Sequence, residues 1–188
     1  MIQSDFNTVG ELVALAEAQH VPVHEIVLKR EMHDRERSRG EVLQAMLKNW
    51  QVMQESIVRG IQNTERSLSG MTGGDAKKLY AYRASGYMGE AAIEAAAYAV
   101  GISEVNAVMG RIVACPTAGS CGIVPAALYA AKKQRRLADG DIVLALLTAL
   151  TVPPFLWLAK PFEACAAARP GAARAARLPW HERRLWLL

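Results

Sequence analysis

A long amphipathic segment between residues 38 and 61 constrains the fold more than any other part of the chain. Apolar side chains recur at four- and three-residue intervals from Val42 through Trp50 to Ile61. Ser38 and Glu41 precede this run with the spacing of a capping box, which predicts where the helix begins. The pattern indicates one long helix with a single apolar face, whose charged opposite face is solvated.

Helical signals also dominate the rest of the first 150 residues, and no alternating strand pattern or hairpin signal is visible. Thr8 and Glu11 form a second capping box. In the alanine-rich part of the chain, Gly101 is expected to end a helix and Ser103 to open a short one. The sequence therefore predicts an all-α fold. Further helices are predicted at about residues 23–35, 76–84, 87–100, 123–136 and from 142 onwards.

The net charge of +4 is unevenly distributed over the 188 residues. Residues 151–188 carry six basic and two acidic side chains, which leaves 16 of each in residues 1–150. The main domain is thus neutral, and the charge pattern gives no reason to expect that it binds nucleic acid.

The cysteine content and the first residues indicate the compartment. Three cysteines do not make a disulfide framework, and Met1–Gly10 lacks the apolar core of a signal peptide. We therefore expect a reducing, cytoplasmic environment.

The character of the sequence changes after residue 150. Pro153 and Pro154 interrupt the helical pattern, and residues 168–177 form a low-complexity tract of Ala, Arg, Pro and Gly. These four amino acids are encoded by GC-rich codons, and such a tract after a well-patterned domain is typical of translation in a wrong frame. The predicted division is a folded domain at residues 1–150 and a basic tail at residues 151–188, disordered or out of frame.

The segment Gly110–Pro125, which reads GRIVACPTAGSCGIVP, surrounds Cys121 with small residues. Small side chains let backbone N–H groups and a thiolate approach a bound group closely. Because a helix is predicted to resume after Gly122, its dipole would lower the pKa of an exposed Cys121 thiol. The pattern fits a metal or cluster ligand, a nucleophile, or a tight turn with a buried thiol.

A second glycine-rich loop spans residues 67–76 and reads SLSGMTGGDA. Its Asp75 is predicted to cap the following helix rather than to act as a base. Cys115 is predicted to be a packed core thiol, and Asn106 and Arg111 are expected to order the cysteine loop by hydrogen bonding. The four histidines lie outside both loops and are assigned no chemistry.

Two motifs in this order, MTGGDAKKL at 71–79 and NAVMGRIVACPTAGSCGIVPA at 106–126, resemble one family over residues 5–149. This family is the iron–sulfur-dependent L-serine dehydratases, in particular the alpha subunit of the two-subunit form. The resemblance implies a largely helical catalytic part and a 4Fe–4S cluster held by three cysteines, the first of which matches Cys121. It also implies a separate beta subunit as partner.

The resemblance further implies a reaction. The open iron of the cluster acts as a Lewis acid on the hydroxyl of L-serine, a base removes the α-proton, and the products are pyruvate and ammonia. Coordination to a cation stabilises the leaving hydroxide. Backbone amides at Thr117–Gly122 would hold the substrate carboxylate, but no general base is identified. The residues expected to bind substrate are Thr117, Ala118, Gly119, Ser120, Gly73, Gly74 and Asp75, with the two loops forming one wall of the site.

The chain departs from the family after the ALLTAL segment at 145–150. The family continues with a Gly-Cys-Gln segment and further cysteine-bearing helices that are not found here, and the surroundings of Cys165 do not match. We therefore expect a truncated or frameshifted alpha subunit with an incomplete site. Two alternatives are an inactive helical remnant and a membrane-associated protein that uses the apolar run at 142–159.

Overall fold

The computed structural model of the chain describes residues 5–115, 117–149 and 167–168. Seven α-helices account for most of these residues, which confirms the predicted all-α fold. The helices are α1 Val9–Gln19, α2 Val23–Arg35, α3 Arg39–Gln62, α4 Asp75–Tyr82, α5 Glu90–Ala107, α6 Ile123–Arg135 and α7 Asp139–Ala149.

The described residues also contain one small sheet. Two short strands, β1 at Ile112–Val113 and β2 at Ala167–Ala168, pair in antiparallel register. This pairing is not predicted from the sequence, because two residues are too few to produce an alternating pattern.

The long helix α3 forms as predicted. Both halves of the Ser38–Glu41 capping box are present, and the two side chains satisfy N–H groups that have no acceptor within the helix. Its apolar stripe is buried from Val42 through Trp50 to Ile57. This face of α3 contributes residues to both hydrophobic clusters of the described domain.

Helix α5 differs from the prediction, because it continues through Gly101 to Ala107. Gly101 does not end the helix; it lies where α5 crosses α3 at Gly60. A Cβ atom added to Gly60 would lie 2.3 Å from the carbonyl carbon of Gly101. Glycine is required here because the two helices pack closely. From the sequence pattern alone, a glycine with this role cannot be distinguished from one that ends a helix.

The core consists of two clusters that share α3. The first is built from α1, α2, α7 and the first half of α3, and contains the fully buried Trp50. The Nε1–H of Trp50 donates to Oδ1 of Asp139 at 2.6 Å, and Nζ of Lys132 donates to the same oxygen at 2.6 Å. The second cluster is built from α3, α5 and α6 around Ile57, Tyr98 and Ile102. The glycine-rich loops lie at the edge of this second cluster.

Two predictions concern residues that lie wholly or almost wholly outside the described ranges. These are the role of Cys165 and the disorder of the tail at 151–188, of which the structure describes only residues 167–168. Within the described part of the chain, no helix combines the length and apolar character needed to cross a membrane. The apolar run at 142–159 continues past residue 149 and so lies largely outside it.

Candidate functional site

A cavity of about 270 Å³ lies between the two glycine-rich loops. The structure thus brings together the two motifs that the sequence singled out, with the C-terminal half of α5 between them. The polar side chains that line the cavity carry hydroxyl or carboxylate groups. Within the described ranges, no basic side chain lines it. The lining residues are Thr72, Asp75, Ala99, Val100, Ser103, Glu104, Gly119, Gly122 and Ile123.

The first loop reaches the cavity through two glycines with left-handed or related backbone conformations. Gly73 has φ +139° and Gly74 has φ +83°, values that side chains rarely permit. A Cβ atom on Gly73 would also lie 2.2 Å from the carbonyl oxygen of Glu65. These two residues therefore turn the chain sharply into α4.

The buried carboxylate of Glu104, on α5, receives the start of α4. The N–H of Asp75 donates to Oε1 at 2.7 Å, that of Ala76 to the same oxygen at 3.3 Å, and that of Gly74 to Oε2 at 3.1 Å. Only 3% of Glu104 is exposed. Sequence reasoning missed this residue, although a carboxylate on the buried stripe that also contains Tyr98 and Gly101 was a usable signal.

Asp75 does not cap α4 as predicted. Gly74 occupies the N-cap position, and Asp75 is the first residue of the helix. Its side chain is 60% exposed and accepts a hydrogen bond from Nζ of Lys78 at 3.1 Å. The prediction failed because the acceptor for the helix start comes from Glu104, far along the chain, rather than from the local side chain.

The cysteine loop is held by its own side chains and by α5. Thr117 and Ser120 cap each other, since the N–H of Ser120 donates to Oγ1 of Thr117 and the N–H of Thr117 donates to Oγ of Ser120, each at 3.2 Å. Nδ2 of Asn106 donates to the carbonyl oxygen of Ala118 at 3.1 Å, which confirms the predicted ordering role of Asn106. Arg111 instead pairs with Glu55 on α3.

Cys121 is buried rather than exposed, with 1% of its surface accessible. Burial raises the pKa of its thiol to about 11, although a hydrogen bond from its own backbone N–H acts in the opposite direction, and nearby Cys115 adds a smaller increase. The expectation of an exposed thiol with a lowered pKa is therefore wrong, because desolvation of the buried thiol is the largest effect on its pKa. Cys115 is fully buried, as predicted.

Gly122 places this loop directly on α5. A Cβ atom there would lie 2.4 Å from the carbonyl oxygen of Ala99, so any larger residue would push the loop away from the helix. At Gly122, the small residue that marked the motif in the sequence thus serves a close contact between loop and helix.

The described side chains do not by themselves form a cluster site. In the described ranges, no three His, Cys, Asp or Glu side chains are grouped closely enough to hold a metal ion. Among the residues that the structure describes, Cys121 has only the thiol of Cys115 as a nearby sulfur donor, whereas three cysteines are expected for the cluster. The donor set found here is therefore incomplete for a 4Fe–4S cluster.

Comparison with known proteins identifies one family. A model of the family described as "Serine dehydratase alpha chain" matches residues 18–168. The match continues past residue 150, where the sequence pattern predicts the end of the folded domain. No solved structure matches the chain.

Curated relatives carry the corresponding names. The chain is 36% identical over 146 residues to a probable L-serine dehydratase alpha chain of Bacillus subtilis (strain 168), covering 77% of this chain and 48% of that protein. It is 32% identical over 148 residues to the L-serine dehydratase alpha chain of Peptoniphilus asaccharolyticus, covering 78% and 51%. The chain spans about half the length of these relatives.

Proposed function

Because this chain belongs to the serine dehydratase alpha-chain family, we propose that it takes part in the deamination of L-serine to pyruvate and ammonia. The substrate would bind in the cavity between the loops at residues 72–76 and 117–122. The reaction makes the protein a lyase of amino-acid degradation. We place it in the cytoplasm, with a separate beta subunit as its partner.

One observation carries this proposal: both family motifs line a single small cavity. At about 270 Å³ the cavity lies just below the roughly 300–1,000 Å³ typical of pockets for drug-sized ligands, so it suits a small polar molecule. Thr72 and Asp75 approach it from one loop, and Gly119 and Gly122 from the other. L-serine is small and polar enough to be such a ligand.

We further propose that Cys121 is one ligand of a 4Fe–4S cluster. The remaining thiolates would come from residues outside the described ranges or from another chain. When bound, the cluster would supply a Lewis acid that stabilises the hydroxide leaving from serine. The protonated Cys121 is compatible with this role, because coordination to a metal deprotonates a thiol.

The chain's own residues would bind and orient the substrate. The backbone amides of Ala118 and Gly119 are the proposed partners of the serine carboxylate, since they lie close to the start of α6, whereas those of Thr117 and Ser120 already donate to each other's side chains. Gly74 and Asp75 are also predicted to bind substrate, but their amides already donate to Glu104. Substrate binding at that loop would therefore use the side chains of Thr72 and Asp75.

Anaerobic reconstitution with iron and sulfide tests the proposal. Cys121→Ser should abolish iron binding, whereas Cys115→Ser is a matched control, because it removes a buried thiol that is not a proposed ligand. L-serine-dependent formation of pyruvate would then be measured with the beta subunit present. Iron binding that does not depend on Cys121 would contradict its role as a ligand. A complete absence of iron binding would favour an inactive helical remnant.

A further inference from the structure

We propose that Glu104 is a positioning residue that holds the loop at residues 72–76 against α5 and itself fills the anion-binding end of α4. The inference deepens the proposed function and rests on it only for the identity of the substrate. The side chain of Glu104 shapes one wall of the cavity. Because Glu104 occupies the amides of that wall, the substrate carboxylate is directed to the opposite wall.

The hydrogen bonds of Glu104 join parts of the chain that are distant in sequence. The start of a helix leaves N–H groups without acceptors inside the helix and attracts negative charge. Here the N–H groups of Gly74, Asp75 and Ala76 all donate to a carboxylate that lies 28 to 30 residues further along the chain. Glu104 therefore fixes the position of the loop in the fold, which a local cap does not do.

The loop depends on this support for two reasons. Its turn is built from Gly73 and Gly74, residues that lose much conformational freedom when they are fixed. In addition, three N–H groups would lack their acceptor if Glu104 were removed, and the cost is highest for that of Ala76, which is buried. The loop should then move away from α5, and the wall that carries Thr72 and Asp75 should be lost.

The same bonds restrict how an amino acid can lie in the cavity. A substrate carboxylate could reach the amides of residues 74–76 only by displacing Glu104, and the two negative charges would repel each other. The loop at residues 117–122 carries no acidic side chain. We therefore place the substrate carboxylate at that loop and the rest of the molecule towards Glu104.

Hydrogen exchange of the full chain, without substrate or metal, tests the proposal. In Glu104→Ala we expect the amides of residues 74–76 to exchange at least about tenfold faster than in the unaltered protein. Glu94→Gln is the matched control, because Glu94 is also a buried carboxylate on α5 but bonds to Lys133 and Tyr98. It should leave the protection of residues 74–76, relative to neighbouring amides, unchanged.

Chemical rescue of Glu104→Ala by small molecules shows whether the Glu104 carboxylate is needed for its hydrogen bonds or only for its volume. Acetate replaces the atoms that Glu104→Ala removes, so it should restore protection of residues 74–76. Acetamide has nearly the same shape but only one oxygen acceptor, and its N–H groups would oppose those of the loop, so it should not. Equal rescue by both compounds, or no rescue by acetate, would overturn the proposal.

Glu104→Gln keeps the test decisive if the alanine variant does not fold. The glutamine side chain has one oxygen acceptor, whereas Glu104 uses both of its oxygens. At least one of the three amides should therefore lose protection. Full protection of all three in Glu104→Gln would refute a role for the carboxylate. Because no substrate or cluster is used, a failure of the proposed serine chemistry would be seen separately, in the reconstitution assay.

Discussion

The crossing of α3 and α5 makes an asymmetric prediction for two glycines in one contact. A Cβ atom on Gly60 would lie 2.3 Å from the carbonyl carbon of Gly101, whereas one on Gly101 would lie 3.1 Å from that of Gly60. Ordinary contacts between carbon atoms begin at about 3.5 Å. Gly60→Ala therefore lacks about 1.2 Å of space against rigid backbone, and Gly101→Ala only about 0.4 Å.

These shortages set the expected free energies of unfolding. Overpacking at Gly60 should cost about 3 kcal/mol, the upper end of the usual range, and the higher helix propensity of alanine returns about 1 kcal/mol. The net loss for Gly60→Ala is thus about 2 kcal/mol. For Gly101→Ala the two contributions should nearly cancel.

Urea unfolding of the full chain, followed by circular dichroism, measures these differences as shifts in midpoint at constant slope. Gly40→Ala is the matched control, because it lies on the same helix α3 with no atom within 4 Å of the added Cβ. It should be neutral or stabilising by up to about 1 kcal/mol. Equal stabilities of Gly60→Ala and Gly101→Ala would refute the argument from close backbone contact.

Three further predictions follow from the described contacts. Gly122→Ala should destabilise the protein by about 2 kcal/mol by forcing the loop away from Ala99, and should speed hydrogen exchange in residues 117–122. Cys121 should resist iodoacetamide at pH 8 in the folded protein and react on unfolding in urea, as mass spectrometry would show, because burial raises the pKa of its thiol to about 11. The hydrogen bond from Lys132, with help from Trp50, lowers the pKa of Asp139 below its ordinary value of 3.8. The ionised Asp139 thus contributes to the free energy of unfolding above pH 3.8, and this contribution is lost as the pH falls below 3.8. Asp139→Asn should therefore make stability less dependent on pH below 3.8.

Local patterns predicted much of this fold. The helix α3 begins at its capping box and buries the residues that its period indicates, because both signals depend only on neighbouring residues. The two glycine-rich loops were recognised from composition, and they do line one cavity. Whether their residues bind substrate remains a prediction.

The predictions that failed depend on contacts between distant parts of the chain. Gly101 was expected to end a helix, but it is the partner of Gly60 on another helix. Asp75 was expected to cap α4, but the acceptor is Glu104. The pKa of Cys121 follows from burial by the second core cluster rather than from its loop. Spacing along the sequence can mark Glu104 as a buried carboxylate, but it does not identify which distant residues meet in these contacts.

The two loops share one support, because Glu104 holds the first and Asn106 the second from the same turn of α5. A protein engineer who transplants either loop into another helical scaffold must therefore carry over the last turn of α5 as well. Conversely, a small rotation of that turn would move both walls of the cavity together. A redesign of the cavity should therefore keep the last turn of α5 together with both loops, because the positions of the loops depend on it.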